Sequence, residues 1–109
     1  MTRITKVINI KSGDRYDVYI GRNRGSACHF GNPFIIGSDG TRNDVIRKFD
    51  LWIRGVAYTH IESHRREWIL QNIEKLRGKT LGCYCKPLAC HGDIYIQLLT
   101  EREERDQIS

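Results

Sequence analysis

No stretch of about 18 apolar residues occurs in this 109-residue chain, so the sequence offers no membrane-spanning helix. Its opening, "MTRITKVINI", has neither the apolar run nor the small-residue cleavage site of a secretory signal, and the two absences together predict a cytoplasmic protein with no membrane partner. No internal repeat or low-complexity linker divides the chain, which predicts a single domain over residues 1–109 with only about residues 103–109 fraying. The phosphate-loop patterns GxxxxGK[ST] and GxGxxG are missing, and so is any CxxC knuckle. In a reducing compartment the four cysteines do not build a disulfide framework, which leaves them metal, catalytic or packing roles.

What is present supports a small core. With 39% hydrophobic residues the chain can fold without disulfides or metal. The net charge of +5 comes from arginines spread along the whole sequence, and it predicts affinity for polyanions, nucleic acid among them, without locating a groove. The β-branched, period-two segments "ITKVINI" and "YDVYIGR" predict strands over 4–10 and 16–21, paired as a hairpin around "SGD". A glycine-rich loop follows over 22–40. Val45, Phe49, Trp52, Ile53 and Val56 then recur on one face of a helix over 44–56. A second helix is predicted over 64–76, with Ser63 as N-cap, Ile69, Ile73 and Leu76 inward, and Gly78 as the C-terminal glycine. "TLGCYC" reads as a short buried strand, and a last helix over 93–102 turns Ile94, Tyr95, Leu98 and Leu99 inward. The order β-β-α-α-β-α predicts an α/β fold, a small mixed sheet covered by helices.

The segment "LGCYCKPLACHGD" falls between the end of that last strand and the start of the last helix, a junction where α/β folds place ligands. Unpaired amides at a helix start favour anions, so Gly92 and Asp93 are expected to border an anion site. In that field Cys90 is expected to be the most acidic thiol and a nucleophile, with Cys85 as the alternative and His91 as base or orienting partner. Asp93 also suits a helix cap. Cys83 is expected to be buried and inert, as free cysteines in core strands usually are. Three thiolates and an imidazole would suit tetrahedral zinc, yet adjacent Cys90 and His91 rarely reach one ion; no metal ligand is assigned, and a zinc-binding module stays as an alternative.

The second chemical segment is "IGRNRGSACHFGNPFIIG". Gly21 permits a close turn and Arg22 can make a bidentate contact to phosphate or carboxylate. Pro33 holds Asn32 extended and Phe34 can anchor the segment in the core, which makes Asn32 a fixed donor and acceptor. Gly21, Arg22, Asn32 and Pro33 are thus candidate ligand contacts, and Arg22 and Asn32 are expected to meet Cys85, Cys90 and His91 in one pocket. The combined reading is a protein that binds an anionic, nucleotide-like ligand, in its enzymatic form a thiol-dependent transferase or hydrolase. The alternative is a non-enzymatic nucleic-acid-binding module. No motif names a cofactor.

"YIGR", "FGNPFIIG", "GTRNDVIRKFDLWI" and "LRGKTLGCYCKPLACHGDIY" resemble the pattern of domain of unknown function 4326, a family of small proteins from bacterial and phage genomes. The likeness covers nearly the whole chain and centres on G-N-P-F, residues 31–34, and on C-x-C-x-P-x-x-C-H-G-D, residues 83–93. It implies that these two segments form one site and brings no established activity. The chain departs from the family's usual short G-R-x-x-x-W-G-N-P-F in its longer loop and in Phe30, where a tryptophan is frequent. The second segment is also similar to the C-x-E-x-x-P-x-x-C-H-R stretch of domain of unknown function 488, which implies a shared strand–loop–helix arrangement.

Overall fold

The computed structural model describes residues 4–21 and 29–108. Three strands, β1 (Lys6–Asn9), β2 (Val18–Tyr19) and β3 (Thr80–Cys83), combine with three helices, α1 (Arg42–Ile53), α2 (Ser63–Asn72) and α3 (Gly92–Ile108). The α/β class and the small sheet agree with the sequence reading, but the strand pairing does not. β3 lies between β1 and β2 and runs parallel to both, with Lys6 opposite Thr80 and Val18 opposite Leu81. The sheet is therefore parallel where a mixed one is predicted, and the expected hairpin is absent. Burial explains the order: all four residues of β3 are buried, as a central parallel strand requires, whereas β1 and β2 are largely half-buried edges. "SGD" does turn the chain, but its Gly13, at φ 86°, closes a 3-10 turn over Ile10–Ser12 instead of a hairpin.

The connection from β1 to β2 must return along the sheet, and it does so across β3 at Gly82. A Cβ there would lie 2.7 Å from Ile10 Cγ2 and 2.8 Å from Tyr16 Cγ, so only glycine lets the crossing segment lie this close. Leu81 and Cys83, on the opposite face of the same strand, belong to the core.

Helix α1 begins with a reciprocal cap. Thr41 Oγ1 accepts the Asp44 N–H at 3.2 Å and Asp44 Oδ2 accepts the Thr41 N–H at 2.9 Å. Val45, Phe49, Trp52 and Ile53 are buried along one face, as their spacing predicts. The helix stops at Ile53 rather than 56, because Gly55 turns left-handed at φ 77° and leaves Val56 69% exposed. Arg66 of α2 then donates to the carbonyl of Trp52, at 2.6 Å, which also accepts the Gly55 N–H at 3.1 Å, and to that of Ile53, at 3.4 Å.

Helix α2 is preceded by Glu62 in a left-handed conformation with no side-chain cap, so Ser63 is its first residue and not its N-cap. It tightens into a 3-10 turn over Ile73–Leu76, and Ile69, Ile73 and Leu76 are fully buried as expected. Gly78 is left-handed at φ 73°, as a glycine ending a helical segment should be. Helix α3 buries Tyr95 and Leu99 and continues past residue 102 to Ile108. Arg102 reaches Glu74 at 3.1 Å and Glu103 reaches Arg77 at 3.5 Å, ties that bind the extension to the turn after α2. Among the described residues no helix is long and apolar enough to cross a membrane.

The tight crossing sets a test. Gly82→Ala is expected to lower unfolding free energy by about 1–3 kcal/mol, the usual range for overpacking. Urea denaturation measures it, and a variant as stable as the parent would show that Ile10 and Tyr16 yield freely.

Candidate functional site

A cavity of about 560 Å³ opens where the three strands end, with Ile10 beyond β1, Tyr19 and Gly21 at the end of β2, and Cys83, Tyr84 and Cys85 at the end of β3 contributing to its wall. This is the carboxyl edge of a parallel sheet, the place where such sheets bind ligands. Helix α1 adds Arg42 and Val45, and the loop after β2 adds Asn32 and Phe34.

That loop is held through three successive carbonyls. Arg65 Nη1 donates to the carbonyls of His29 and Gly31. Between them, the Phe30 carbonyl accepts the Tyr95 hydroxyl at 2.7 Å and faces His91 Nε2 at 2.9 Å. The same Nε2 lies 2.8 Å from the Ile20 carbonyl. A ring nitrogen between two carbonyl oxygens carries hydrogen, so this atom of His91 donates and does not take up a proton. The general-base role suggested by the sequence therefore has no place at Nε2. His91 is buried, and the edges of Phe49 and Tyr95 pack around its ring.

Asn32 is a fixed donor and acceptor, as expected, but its bonds are structural. Oδ1 accepts the Phe34 N–H at 2.9 Å, and Nδ2 donates to the Val45 carbonyl at 3.1 Å, which fastens the loop to α1. The side chain still lines the cavity, whereas Pro33 does not. Gly21 lines it too, and a Cβ there would collide with the Tyr19 ring. Arg22 and Cys28 lie outside the described residues. Of the five residues expected to converge, Asn32, Cys85, Cys90 and His91 share this cavity.

The helix start corrects a further expectation. Asp93 Oδ2 accepts the Cys90 N–H at 3.2 Å while Oδ1 pairs with Lys86 Nζ at 2.6 Å. A carboxylate of the chain itself thus occupies the position expected for an external anion. Gly92 serves packing: a Cβ would lie 2.6 Å from Ile20 Cδ1 and 2.8 Å from Val7 Cγ2. Neither residue is on the cavity wall.

Cys83 and Cys90 are both buried, with sulfur atoms 3.5 Å apart. With both protonated, either sulfur can donate; once one proton leaves, Cys90 keeps its hydrogen and Cys83 accepts it. That hydrogen bond, joined by the amides of Cys85 and Lys86 and the Lys86 ammonium, lowers the Cys83 thiol to about 6 against the resistance of burial. Cys90 is pushed up by the same shared hydrogen, by burial and by the charge on Cys83. Cys90 is therefore not the most acidic thiol, because burial and its sulfur neighbour outweigh the Gly92 amide. Cys83 is buried as expected, yet it has the cationic neighbour that a regular strand would have denied it. Among the described residues no group of three or more His, Cys, Asp or Glu side chains is placed to hold a metal ion.

Several wall residues escape sequence reasoning. Arg42 carries the one signal that could have found it: a cation in the first turn of a helix opposes the helix dipole. Tyr16, Tyr19 and Tyr84 read as ordinary strand residues, though Tyr84 is 56% exposed and meets Tyr19 edge-on at 6.1 Å between ring centres. Asn9, off the wall, anchors the turn after β3 by donating to the Lys86 carbonyl at 2.6 Å.

The pattern of the family described as a domain of unknown function (DUF4326) matches residues 6–101. The chain belongs to that family. It is similar to an uncharacterized 12.4 kDa protein in the nrdA-td intergenic region of Enterobacteria phage T4, at 35% identity over 99 residues covering 89% of this chain and 79% of that protein. No solved structure matches.

Two measurements test the site of this DUF4326 member. His91→Leu deprives the Ile20 and Phe30 carbonyls of a donor and is expected to lower stability by about 2–4 kcal/mol, whereas Tyr95→Phe, which leaves Phe30 its histidine, costs about 1 kcal/mol. Equal losses would contradict the shared-carbonyl arrangement. Thiolate absorbance in the ultraviolet is expected to titrate near the lowered Cys83 value of about 6 and to lose that step in Cys83→Ser. The sign follows from linkage. Cys83, lowered on folding, adds stability that is complete above the ordinary thiol range and fades as pH falls through about 6, while Cys90, raised on folding, withdraws stability as pH climbs above that range.

Proposed function

We propose that the cavity binds a small anionic, nucleotide-like molecule in the cytoplasm, an aromatic base joined to a phosphate. One observation carries the reading: among the described residues the wall combines Tyr16, Tyr19, Phe34 and Tyr84 with one guanidinium, Arg42, and no carboxylate. Aromatic side chains stack on bases at about 1–3 kcal/mol per base. A guanidinium forks onto phosphate oxygens, and Arg42 makes only one long bond of 3.4 Å, to the Ala89 carbonyl, among the described residues. The volume also suits a small ligand, since such sites usually span about 300–1,000 Å³. A thiol-dependent transferase or hydrolase built on Cys90 and His91 is the less favoured reading, because the first holds its proton and the second is engaged with two carbonyls.

Calorimetric titration of the reduced protein with nucleosides and nucleoside monophosphates tests the proposal. Arg42→Ala is expected to weaken monophosphate binding about tenfold or more, in line with a lost charged hydrogen bond, and to leave nucleosides unchanged. Tyr84→Ala is expected to weaken both. Tight oligonucleotide binding that falls as a power of salt concentration, with no affinity for monophosphates, would replace this reading with the nucleic-acid-binding module.

A further inference from the structure

We propose that Cys83 and Cys90 form a redox-active dithiol that exchanges with a low-molecular-weight disulfide admitted through the cavity. The inference goes beyond nucleotide binding and holds whatever the bound anion is. Three placements carry it. The two sulfur atoms are already 3.5 Å apart. Both residues line the same cavity of about 560 Å³, which has room for a small disulfide, while their exposures of 1% and 2% keep a protein-sized one away. Cys85 shares the wall but makes no thiol–thiol hydrogen bond among the described residues, which singles out one pair of the three.

The chemistry divides the roles. Cys83, facing the amides of Cys85 and Lys86, is the attacking thiolate, and Cys90 is the resolving thiol. Cys83 Sγ attacks one sulfur of the substrate R–S–S–R; the substrate S–S bond breaks, a mixed disulfide forms and one R–S⁻ departs. Cys90 then gives up its proton to that departing thiolate and attacks Cys83 Sγ, which expels the second R–S⁻. The dithiol is oxidised by two electrons to a disulfide, and the substrate is reduced to one thiol and one thiolate. Closure needs the sulfur atoms to move from contact to the covalent distance of about 2.05 Å. Cys90 belongs to the loop ahead of α3, so its side chain can close the gap while β3 stays in place.

Bis(2-hydroxyethyl) disulfide is a probe small enough to enter. Fully reduced protein is incubated with it, quenched with acid, blocked with an alkylating reagent and mapped by mass spectrometry without reduction. The expected product is an internal Cys83–Cys90 disulfide, and in Cys90→Ser a hydroxyethyl adduct retained on Cys83. Adducts on Cys85 or Cys28 while Cys83 and Cys90 stay reduced would overturn the proposal, as would either of the pair linking to Cys85. The wild-type map needs no variant, so a Cys90→Ser protein that fails to fold does not decide the outcome. The nucleotide reading is measured on reduced protein, and its failure would leave this result standing.

Discussion

The carbonyl of Phe30 takes hydrogen bonds from both His91 and Tyr95, and the shape of the cavity depends on that junction. Tyr95 stands on α3 and His91 just ahead of it; through the Ile20 carbonyl, His91 also ties in the end of β2. Three elements distant in sequence are thus joined at one buried point, where a missing partner would cost about 1–3 kcal/mol. Arg65 secures the carbonyls on either side from α2, and it lies over the Trp52 ring at 5.5 Å, so a half-buried cation is satisfied from every direction. These bonds fix residues 29–31 through three consecutive carbonyls. The aromatic ring of Phe30 adds to this by packing between Trp68 and Tyr95.

Charge is sorted in the same economical way. Asp93, the carboxylate closest to the cysteines in sequence, is turned to Lys86 and to the amide of Cys90, away from the cavity wall. Arg42 faces the other way, onto the wall. The Asp93 carboxylate is thus matched by Lys86 off the wall, while the Arg42 guanidinium meets the cavity. The two thiols line the same wall and can together carry a single negative charge because one proton is shared across them.

Helical periodicity transferred directly from sequence to structure because burial there depends on spacing alone: Val45, Phe49 and Trp52, like Ile69, Ile73 and Leu76, are buried as their intervals imply. The end of α1 was also written in the chain, in Gly55, but the apolar Val56 beyond it suggested continuation. Strand pairing was not legible, since a turn sequence such as "SGD" says that the chain bends and not which strand it meets next. The two motif segments did converge, yet the roles within them could not be read. A histidine ahead of a helix looks the same whether its nitrogen serves a substrate or two backbone carbonyls. The proton between Cys83 and Cys90 depends on which amides reach which sulfur, and that is settled by a turn held in place by Asn9, far away in sequence. The aromatic wall has the same origin, since Tyr19 and Tyr84 meet through the pairing of β2 with β3.

That insertion has a bearing on how the chain acquires its structure. β1 and β2 emerge early from synthesis, but neither can pair with the other; each waits for β3, whose register joins Lys6 to Thr80 and Val18 to Leu81. Every ladder in the sheet is therefore long in sequence, and the loop-closure entropy of more than sixty residues is spent before the first strand contact returns anything. Helix α1, with its reciprocal cap, and helix α2 are built from local contacts that need no such closure. The floor of the cavity depends on the same long-range closure, since β3 also carries Cys83.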